Sequence, residues 1–266
     1  MTVPSPFGFA SAAATHVGAV RKHNEDACLD RGDIGLWAVA DGMGGHEAGD
    51  VASQMIVEML ATISAPTDAG SFLAEVRTTL SRTNERLLSE ARKRGPGVLI
   101  GSTVVVLLAH ASHFACLWAG DSRLYRFRGG VLTQVTRDHS EVQDMVDAGT
   151  LTAEEAEHHP LSNIITRAVG TQPDLALDKI SEPLAANDIF LLCSDGLSKM
   201  APESEIAAVM RTEPIARIPQ KLIELALSHG GKDNVTVVVV QVEDEVTLRP
   251  GDVALGRPIG DLEGVI

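Results

Sequence analysis

Three aspartates share a sequence pattern that suits metal chemistry. Asp41, Asp195 and Asp233 each lie at or just beside the end of an apolar run that reads as a buried strand, with glycine close by. Carboxylates that converge in space repel one another and raise one another's pKa unless a cation lies between them. Oxygen ligands without cysteine or paired histidine favour Mg²⁺ or Mn²⁺ over zinc, so we expect one of these ions here.

The segment 39–46, VADGMGGH, has the strongest form of this pattern. Its glycines allow a sharp turn and a close approach of the main chain, so that a carbonyl can itself bind an ion. For each aspartate taken alone, an Asx turn beside its glycine is the more frequent role. Because the pattern recurs at three strand ends, a shared metal site is the better interpretation.

Two further residues have two open interpretations each. The guanidinium of Arg21 can bind two phosphate oxygens as a fork, or it can form a surface pair with Glu25. Asp121, in the segment GDSR, can form a hairpin turn or bind a metal ion, and the local sequence favours neither. Both residues are candidate members of the site.

Histidines near the acids are candidate proton donors. His46 titrates in the right range for a general acid, but it can equally cap the helix that begins near Glu47. His139 and the pair His158 and His159 fall in a polar, irregular stretch, where we interpret them as solvated.

Composition limits the partners of the chain. It has 266 residues and a formal net charge of −14, with six Phe, two Trp and one Tyr. A protein that binds nucleic acid needs a basic face, so this composition argues against such a partner. The sequence has no run of eighteen apolar residues and no basic-then-apolar N-terminal signal, which predicts a cytoplasmic protein without membrane association. We expect a single domain and a monomer.

Motifs of other enzyme classes are missing from the sequence. No G-x-S-x-G elbow, G-x-x-x-x-G-K-[ST] loop or G-x-G-x-x-G loop occurs. None of the three cysteines precedes an arginine by six positions, which argues against a cysteine-based phosphatase loop. The cysteines are far apart and odd in number, so we expect free thiols at Cys28, Cys116 and Cys193.

Apolar runs and helical periodicity predict sheets that are covered by helices. Strands are expected at 7–17, 36–40, 101–110, 189–193 and 235–242, with a three-stranded meander over 113–136 that turns at 120–122 and 129–130. Helices are expected at 48–63, 71–93, 202–211 and 215–229. The polar, broken stretch 138–170 predicts a mobile excursion beside the site.

Eight segments occur in an order that resembles one family. They are RKHNED, VADGMGGH, GSTVVVL, GDSRLYR, DHS, ITRAVG, CSDGLS and GGKDNVTVV, and the match spans about residues 8–242. The set resembles the metal-dependent protein phosphatases of type 2C in their bacterial form. The resemblance implies an α+β fold, a four-layer αββα sandwich of two antiparallel β-sheets flanked by helices, with a centre of two Mn²⁺ or Mg²⁺ ions at one end.

The resemblance also implies the ligands of this centre. Asp41 would bridge the two ions, and Gly42 would bind through its carbonyl oxygen. Asp195 and Asp233 would complete the inner ligands. Asp121 matches an acid that holds a weaker third ion in bacterial members.

Other matched residues would surround the ions. Arg21 matches the arginine that binds the phosphate group, and Glu25 and Asp26 match acids that act through metal-bound water. Many eukaryotic members have a histidine directly after the Asp-Gly pair, whereas this chain has Met43. His46 is therefore the candidate proton donor.

The implied activity is hydrolysis of phosphoserine and phosphothreonine in proteins, by a water that bridges the metals and without a phosphoenzyme. The expected partners are phosphorylated proteins, with a cognate serine/threonine kinase and its targets. Two alternatives are a catalytically silent phosphoprotein-binding scaffold of the same fold and a stress-regulator phosphatase that acts on an anti-sigma antagonist. We expect the phosphatase domain over 1–243, with a flap at about 139–170, and a tail over 244–266.

Overall fold

The computed structural model describes residues 6–44, 48–157 and 159–244, apart from the side chain of Glu157. Over these ranges, eleven strands form two antiparallel sheets that are flanked by helices. The strands are β1 (Phe7–His16), β2 (Asp26–Arg31), β3 (Leu36–Met43), β4 (Gly101–Ser102), β5 (Val104–His110), β6 (His113–Ala119), β7 (Arg123–Arg128), β8 (Val131–Gln134), β9 (Asp178–Pro183), β10 (Ile189–Cys193) and β11 (Val235–Asp244). The helices are α1 (Ala48–Ala61), α2 (Ala69–Arg94), α3 (Glu141–Asp147), α4 (Ala153–Glu157), α5 (Asp195–Ser198), α6 (Glu203–Thr212) and α7 (Ile218–Ser228), with a 3₁₀ turn at Ile215–Arg217.

The two sheets pack face to face. The first has the strand order β1-β11-β10-β7-β8, and the second has the order β2-β3-β5-β6-β9, with β4 paired to β3. The side chains between the sheets come from both of them and are apolar, and they include Trp37, Val39, Phe114, Phe190 and Val238. The predicted four-layer sandwich is confirmed.

Strand β3 shows why the apolar runs are continuous. Leu36, Ala38 and Ala40 pack with α1 and α2 on the outer face of the second sheet. Trp37 and Val39, which alternate with them, face the first sheet. A strand buried on both faces needs an unbroken apolar run. Polar residues can therefore enter only where such strands end, and there the candidate acids lie.

The three strands predicted over 113–136 are present and the second pairs with the third, but the pairing of the first with the second, which a meander requires, is wrong. Strand β6 belongs to the second sheet, and β7 pairs with β10 and β8 in the first. The chain crosses between the sheets at Gly120, whose φ is +111° and where a Cβ would lie 2.6 Å from the side chain of Thr103. Both strands are apolar, so their sequences do not distinguish pairing with each other from pairing with separate sheets. The crossing places Asp121 at the end of the sandwich.

Two strands were not predicted, and one predicted strand is divided. Strands β2 and β9 are the edges of the second sheet, and their exposed polar residues hide the strand pattern. The strand expected at 101–110 is interrupted at Thr103, which separates β4 from β5. The amide of Thr103 donates to the carbonyl of Asp41 at 2.8 Å, so the interruption supports the acid-bearing end of β3.

The remaining sequence expectations concern the cysteines, the flap stretch and membrane-spanning helices. The three cysteines are free, as predicted. The flap stretch contains α3 and α4, and its mobility stays a prediction. No helix in the described ranges is long and apolar enough to span a bilayer. His46, His158 and the tail beyond Asp244 lie outside the described residues.

Candidate metal centre

Asp41 lies at the end of β3 with its main chain held on both sides. Its amide donates to Thr103 Oγ1 at 3.1 Å, and its carbonyl accepts from Ser102 Oγ at 2.9 Å. The next residue, Gly42, has no room for a side chain, because a Cβ there would lie 2.0 Å from the carbonyl oxygen of Gly49 in α1. Close packing of β3 on α1 therefore requires glycine directly after the acid.

Asp26 is the cross-strand partner of Asp41 in β2. It is 9% exposed, and its Oδ2 accepts a hydrogen bond from Ser194 Oγ at 2.8 Å. Ser194 Oγ in turn accepts from the amide of Thr236 at 3.0 Å. Ser194 directly precedes Asp195, so one hydroxyl links β2 and β11 to the chain that leaves β10.

Asp195 begins the short helix α5, and its carboxylate lies beside a lysine. Lys199 Nζ donates to Asp195 Oδ2 at 2.7 Å, to Asp121 Oδ2 at 3.0 Å and to Asn163 Oδ1 at 3.0 Å. Asp121 is 4% exposed. Local sequence left Asp121 open between a turn and a metal role, and the structure shows that Lys199 is its cationic partner.

Arg21 and Asp233 form the opposite side of the centre. Arg21 Nη2 donates to Asp233 Oδ2 at 2.7 Å, so its partner is Asp233 and not Glu25, which was one expected alternative. The loop that carries Arg21 is held by Asn234, which donates from Nδ2 to the carbonyls of Val17 and His23, both at 2.9 Å. The side chain of Asn234 also accepts from the amide of Glu25 at 2.8 Å.

Burial and, after it, mutual repulsion govern the electrostatics of this group. Burial, followed by the charges of Asp26, Asp195, Asp121 and Asp233, raises the pKa of Asp41 well above its usual value. Burial also raises the pKa of Asp26 to about 7, although hydrogen bonds from Thr236 and Ser194 oppose the change. Because several anions share one field, the group has to take up either protons or cations.

The pKa values of Asp121 and Glu25, which lie at the edges of this group, are also raised. Burial and the charge of Asp195 raise the pKa of Asp121 to about 6, although Lys199 lowers it. Burial raises the pKa of Glu25, while Arg21 acts in the opposite direction. For Lys199, burial lowers the pKa, but the two neighbouring carboxylates outweigh burial and raise it overall. The lysine is therefore a permanent cation within the group.

The donor set fits a divalent cation, although no complete cage is formed. Within residues 6–44, 48–157 and 159–244, no three His, Cys, Asp or Glu side chains converge closely enough to hold one ion. Oxygens of Asp121, Asp195 and Asp233 bind the chain's own cations. Buried Oδ1 atoms of Asp26 and Asp195 have no hydrogen-bond partner among the described residues. Unpartnered carboxylate oxygens are the ligands that Mg²⁺ and Mn²⁺ prefer.

His139 corrects one sequence expectation. It is 2% exposed, so the interpretation of this residue as solvated is wrong. Its ring stacks on Trp118, Nδ1 accepts from the amide of Gly120 at 3.2 Å, and Nε2 lies 3.1 Å from Asp178 Oδ2. Burial is the main reason that the pKa of His139 is lowered. The residue joins the start of the flap stretch to the crossing that carries Asp121.

Some residues at this end of the sandwich were missed in the sequence. Lys199 lies four positions after Asp195, and this spacing on a helix is a recognisable sign of an ion pair. Asn234 follows directly after Asp233, and a side-chain amide there can hold a loop. Nothing in the local sequence indicates that Asn163, which is 36 residues away, would reach Lys199.

Comparison with known proteins places the chain in a family. The family model described as protein phosphatase 2C matches residues 15–226. The chain belongs to the protein phosphatase 2C family. It is 38% identical over 236 residues to the serine/threonine protein phosphatase PstP of Mycobacterium tuberculosis, and the match covers 88% of this chain and 45% of that protein. The chain therefore spans about half the length of that relative.

Solved structures that are similar to this chain have the same fold. PppA, a key regulatory component of the T6SS in Pseudomonas aeruginosa, superposes with a TM-score of 0.82 at 46% identity, over 88% of this chain and 98% of that one. The catalytic domain of the serine/threonine protein phosphatase PstP in complex with two manganese ions gives 0.81 at 36% identity, over 90% of this chain and 100% of that one. The family and the fold that the eight segments predict are confirmed.

Proposed function

We propose that this protein is a metal-dependent phosphatase that removes phosphate from serine and threonine side chains of proteins. The observation that carries this proposal is the environment of Asp41, where burial and then the charges of four other aspartates raise the pKa of one carboxylate. Such an acid stays ionised only when a cation lies close to it. Family membership supplies the reaction class, because a relative is named a serine/threonine protein phosphatase.

The acids at the strand ends would hold two Mn²⁺ or Mg²⁺ ions. We assign Asp41, the carbonyl of Gly42, Asp195 and Asp233 to these ions, with Glu25 and Asp26 acting through water. When bound, such ions neutralise phosphate charge and allow water to act as a nucleophile at neutral pH. The PstP catalytic domain that contains two manganese ions supports this number, and the choice between the two metals is part of the proposal.

Arg21 would bind the phosphate group of the substrate. Its side chain is 52% exposed, so a ligand can reach it, while Asp233 orients it from the side of the centre. The hydrogen bond to Asp233 is the main reason that the pKa of Arg21 is raised, and the guanidinium therefore stays charged. Its planar fork suits two phosphate oxygens, which a lysine ammonium does not match.

The leaving serine or threonine oxygen needs a proton, because the alkoxide is a poor leaving group. We keep His46 as the candidate donor, since Met43 offers no titratable group at the position after Asp-Gly. Water, and not a side chain, is the proposed nucleophile, so no phosphoenzyme is expected. A burst of product, or a trapped covalent phosphate, would contradict this part of the proposal.

Hydrolysis of p-nitrophenyl phosphate in the presence of Mn²⁺ tests the activity. We expect Asp41→Asn and Asp233→Asn to abolish hydrolysis while the circular dichroism spectrum and the melting transition remain. Asp33→Asn is the matched control, because Asp33 is an exposed aspartate that pairs with Arg31 away from the centre. Retained hydrolysis in either centre variant would refute the assignment.

The physiological substrates would be proteins that a cognate serine/threonine kinase phosphorylates. PppA, which is 46% identical, is described as a key regulatory component of the T6SS, and this supports a regulatory role for the present protein. The silent scaffold is not favoured, because all the acids of the centre are present. A phosphoproteome of deletion and wild-type cells tests the assignment: kinase targets should gain phosphate, whereas a change confined to one anti-sigma antagonist would favour the stress-regulator alternative.

A further inference from the structure

Lys199 provides a positive charge inside the acidic group. Its ammonium donates to Asp195 Oδ2, Asp121 Oδ2 and Asn163 Oδ1 at distances from 2.7 to 3.0 Å. A lysine ammonium has three donors, so all of them are used. The lysine is therefore held in one geometry, in contrast to surface lysines that remain solvated.

Two segments of the chain fix the position of this ammonium: the helix α5 and the crossing between the sheets. Lys199 follows α5, which begins at Asp195, so helical spacing brings the lysine back onto that carboxylate. Asp121 comes from the crossing between the sheets and is 4% exposed. Two carboxylates that face one point require a positive charge between them. The protein meets that requirement with its own side chain.

Asn163 extends the contact to the flap stretch. It lies between α4 and β9 in a tight turn, where the amide of Ser162 donates to His159 and the amide of Ile164 donates to Leu161. Asn163 and Ile164 are exposed, and among the described residues the main-chain bonds next to this turn lead only to residues 139–141, which belong to the same flap stretch. The bond from Lys199 is a direct link between the flap stretch and the acids.

We propose that Lys199 is a built-in cation that takes the place between Asp121 and Asp195 which a third metal ion would need, and that it fastens the flap at Asn163. This inference rests on the proposed function, because it assumes that Asp41, Asp195 and Asp233 hold two ions. It assigns Asp121 to the lysine and not to a metal. The chain would then bind two ions and no third, and its flap would be held without added metal.

Counting bound Mn²⁺ tests the first part of this inference. We would titrate metal-stripped protein with Mn²⁺ and measure free ion by electron paramagnetic resonance, for wild type, Lys199→Met and the control Lys221→Met, whose lysine pairs with Glu224 on the surface. Wild type and the control should bind two ions. Lys199→Met should bind a third ion at concentrations at least about tenfold below those at which wild type still binds only two, because removal of the charge exposes two carboxylates.

The double variant Lys199→Met with Asp121→Asn identifies the new site, because it should lose the third ion again. The inference is overturned if wild type already binds three ions, if Lys199→Met binds only two, or if the third ion survives Asp121→Asn. Failure of wild type to bind any Mn²⁺ would overturn the proposed function, and this inference with it. If Lys199→Met does not fold, Lys199→Gln carries the same expectation with a polar side chain.

Limited proteolysis of metal-free protein tests the second part. Lys199→Met and Asn163→Ala should both be cleaved within residues 139–170 several-fold faster than wild type, and Lys221→Met should not. Asn163→Ala should still bind two ions, because the charge of Lys199 remains. Equal cleavage rates for wild type and both variants would show that this bond does not hold the flap.

Discussion

Arg21 donates from Nη2 to Oδ2 of Asp233 across 2.7 Å, so the candidate phosphate ligand and a candidate metal ligand form one ion pair. The pair joins two chain segments that are 212 residues apart. Because Asp233 belongs to the turn that leads into β11, the acid that starts the strand also orients the arginine. If Arg21 binds phosphate and Asp233 binds metal as proposed, the two binding events are coupled at this point.

Replacement of Arg21 should weaken catalysis without loss of the fold. Arg21→Ala removes a charge-assisted fork, and we expect kcat/KM for a phosphoserine peptide to fall by about 100-fold. Arg21→Lys should recover only part of this, because an ammonium cannot bind two oxygens in a plane. Arg31→Ala is the control, since Arg31 pairs with Asp33 on the surface. Full activity in Arg21→Ala would show that Arg21 does not bind the phosphate group.

Replacement of Asn234 should affect both stability and catalysis. Its side chain binds the carbonyls of Val17 and His23 and the amide of Glu25. Asn234→Ala leaves these main-chain groups without partners, which should lower the free energy of unfolding by roughly 2–4 kcal/mol in urea denaturation. It should also reduce kcat/KM, because the loop with Arg21 loses its support. An unchanged denaturation midpoint would contradict the role of Asn234 as a clamp.

The strand ends could be found from the sequence because each acid interrupts a long apolar run. Asp41, Asp195 and Asp233 all follow this rule, and the structure places all three at one end of the sandwich together with Asp26 and Asp121. The part of a strand that is buried on both faces excludes charged residues, so the point where that part ends is visible in the residue pattern. This part of the site was predictable for a physical reason.

Contacts between distant segments could not be found in the same way. The bonds of Lys199 to Asp121 and Asn163 depend on where the β6–β7 crossing and the flap lie, and pairing of β6 with β7 was predicted wrongly. His139 is buried because Trp118 and Asp178 surround it, and no local periodicity signals this. Tertiary packing decides both features.

His139 predicts a pH dependence of stability. Its folded pKa is lowered from 6.5, so the folded protein prefers the neutral ring. The contribution is complete above the unfolded pKa and is lost as the pH falls through the folded value. His139→Asn, which keeps an acceptor for the amide of Gly120, should reduce the loss of stability on acidification below 6.5. Denaturation midpoints that change equally in variant and wild type would contradict this.

Asp26 predicts the opposite dependence in metal-free protein. Its pKa is raised from 3.8 to about 7, so its contribution is complete below the unfolded value and is lost as the pH rises through the folded value. Metal-free protein should therefore lose stability between these two pH values, and Asp26→Asn should lack that part of the loss. Thermal melts of EDTA-treated wild type and Asp26→Asn at several pH values measure this loss of stability. A pH slope that is identical in the variant would contradict the assignment.

The same protons should compete with metal. Ions bind deprotonated carboxylates, and Asp26, whose pKa burial raises to about 7, takes up a proton as the pH falls from above this value to below it. Affinity for Mn²⁺ should accordingly fall by at least about tenfold when the pH is lowered through this range. Isothermal titration at several pH values checks this, and release of protons on binding should accompany it. A dissociation constant that does not change with pH would be inconsistent with a carboxylate site.

We propose above that the acids around Asp41 hold the ions on which phosphate release depends. The direct measurement is a Mn²⁺ titration of metal-stripped protein in which bound ion and phosphate released from a phosphoserine peptide are recorded in the same samples. We predict that release begins only as the second ion binds, and that Asp41→Asn shows neither saturation at two ions nor release. Full phosphate release before any ion is bound, or undiminished release in Asp41→Asn, would contradict the account.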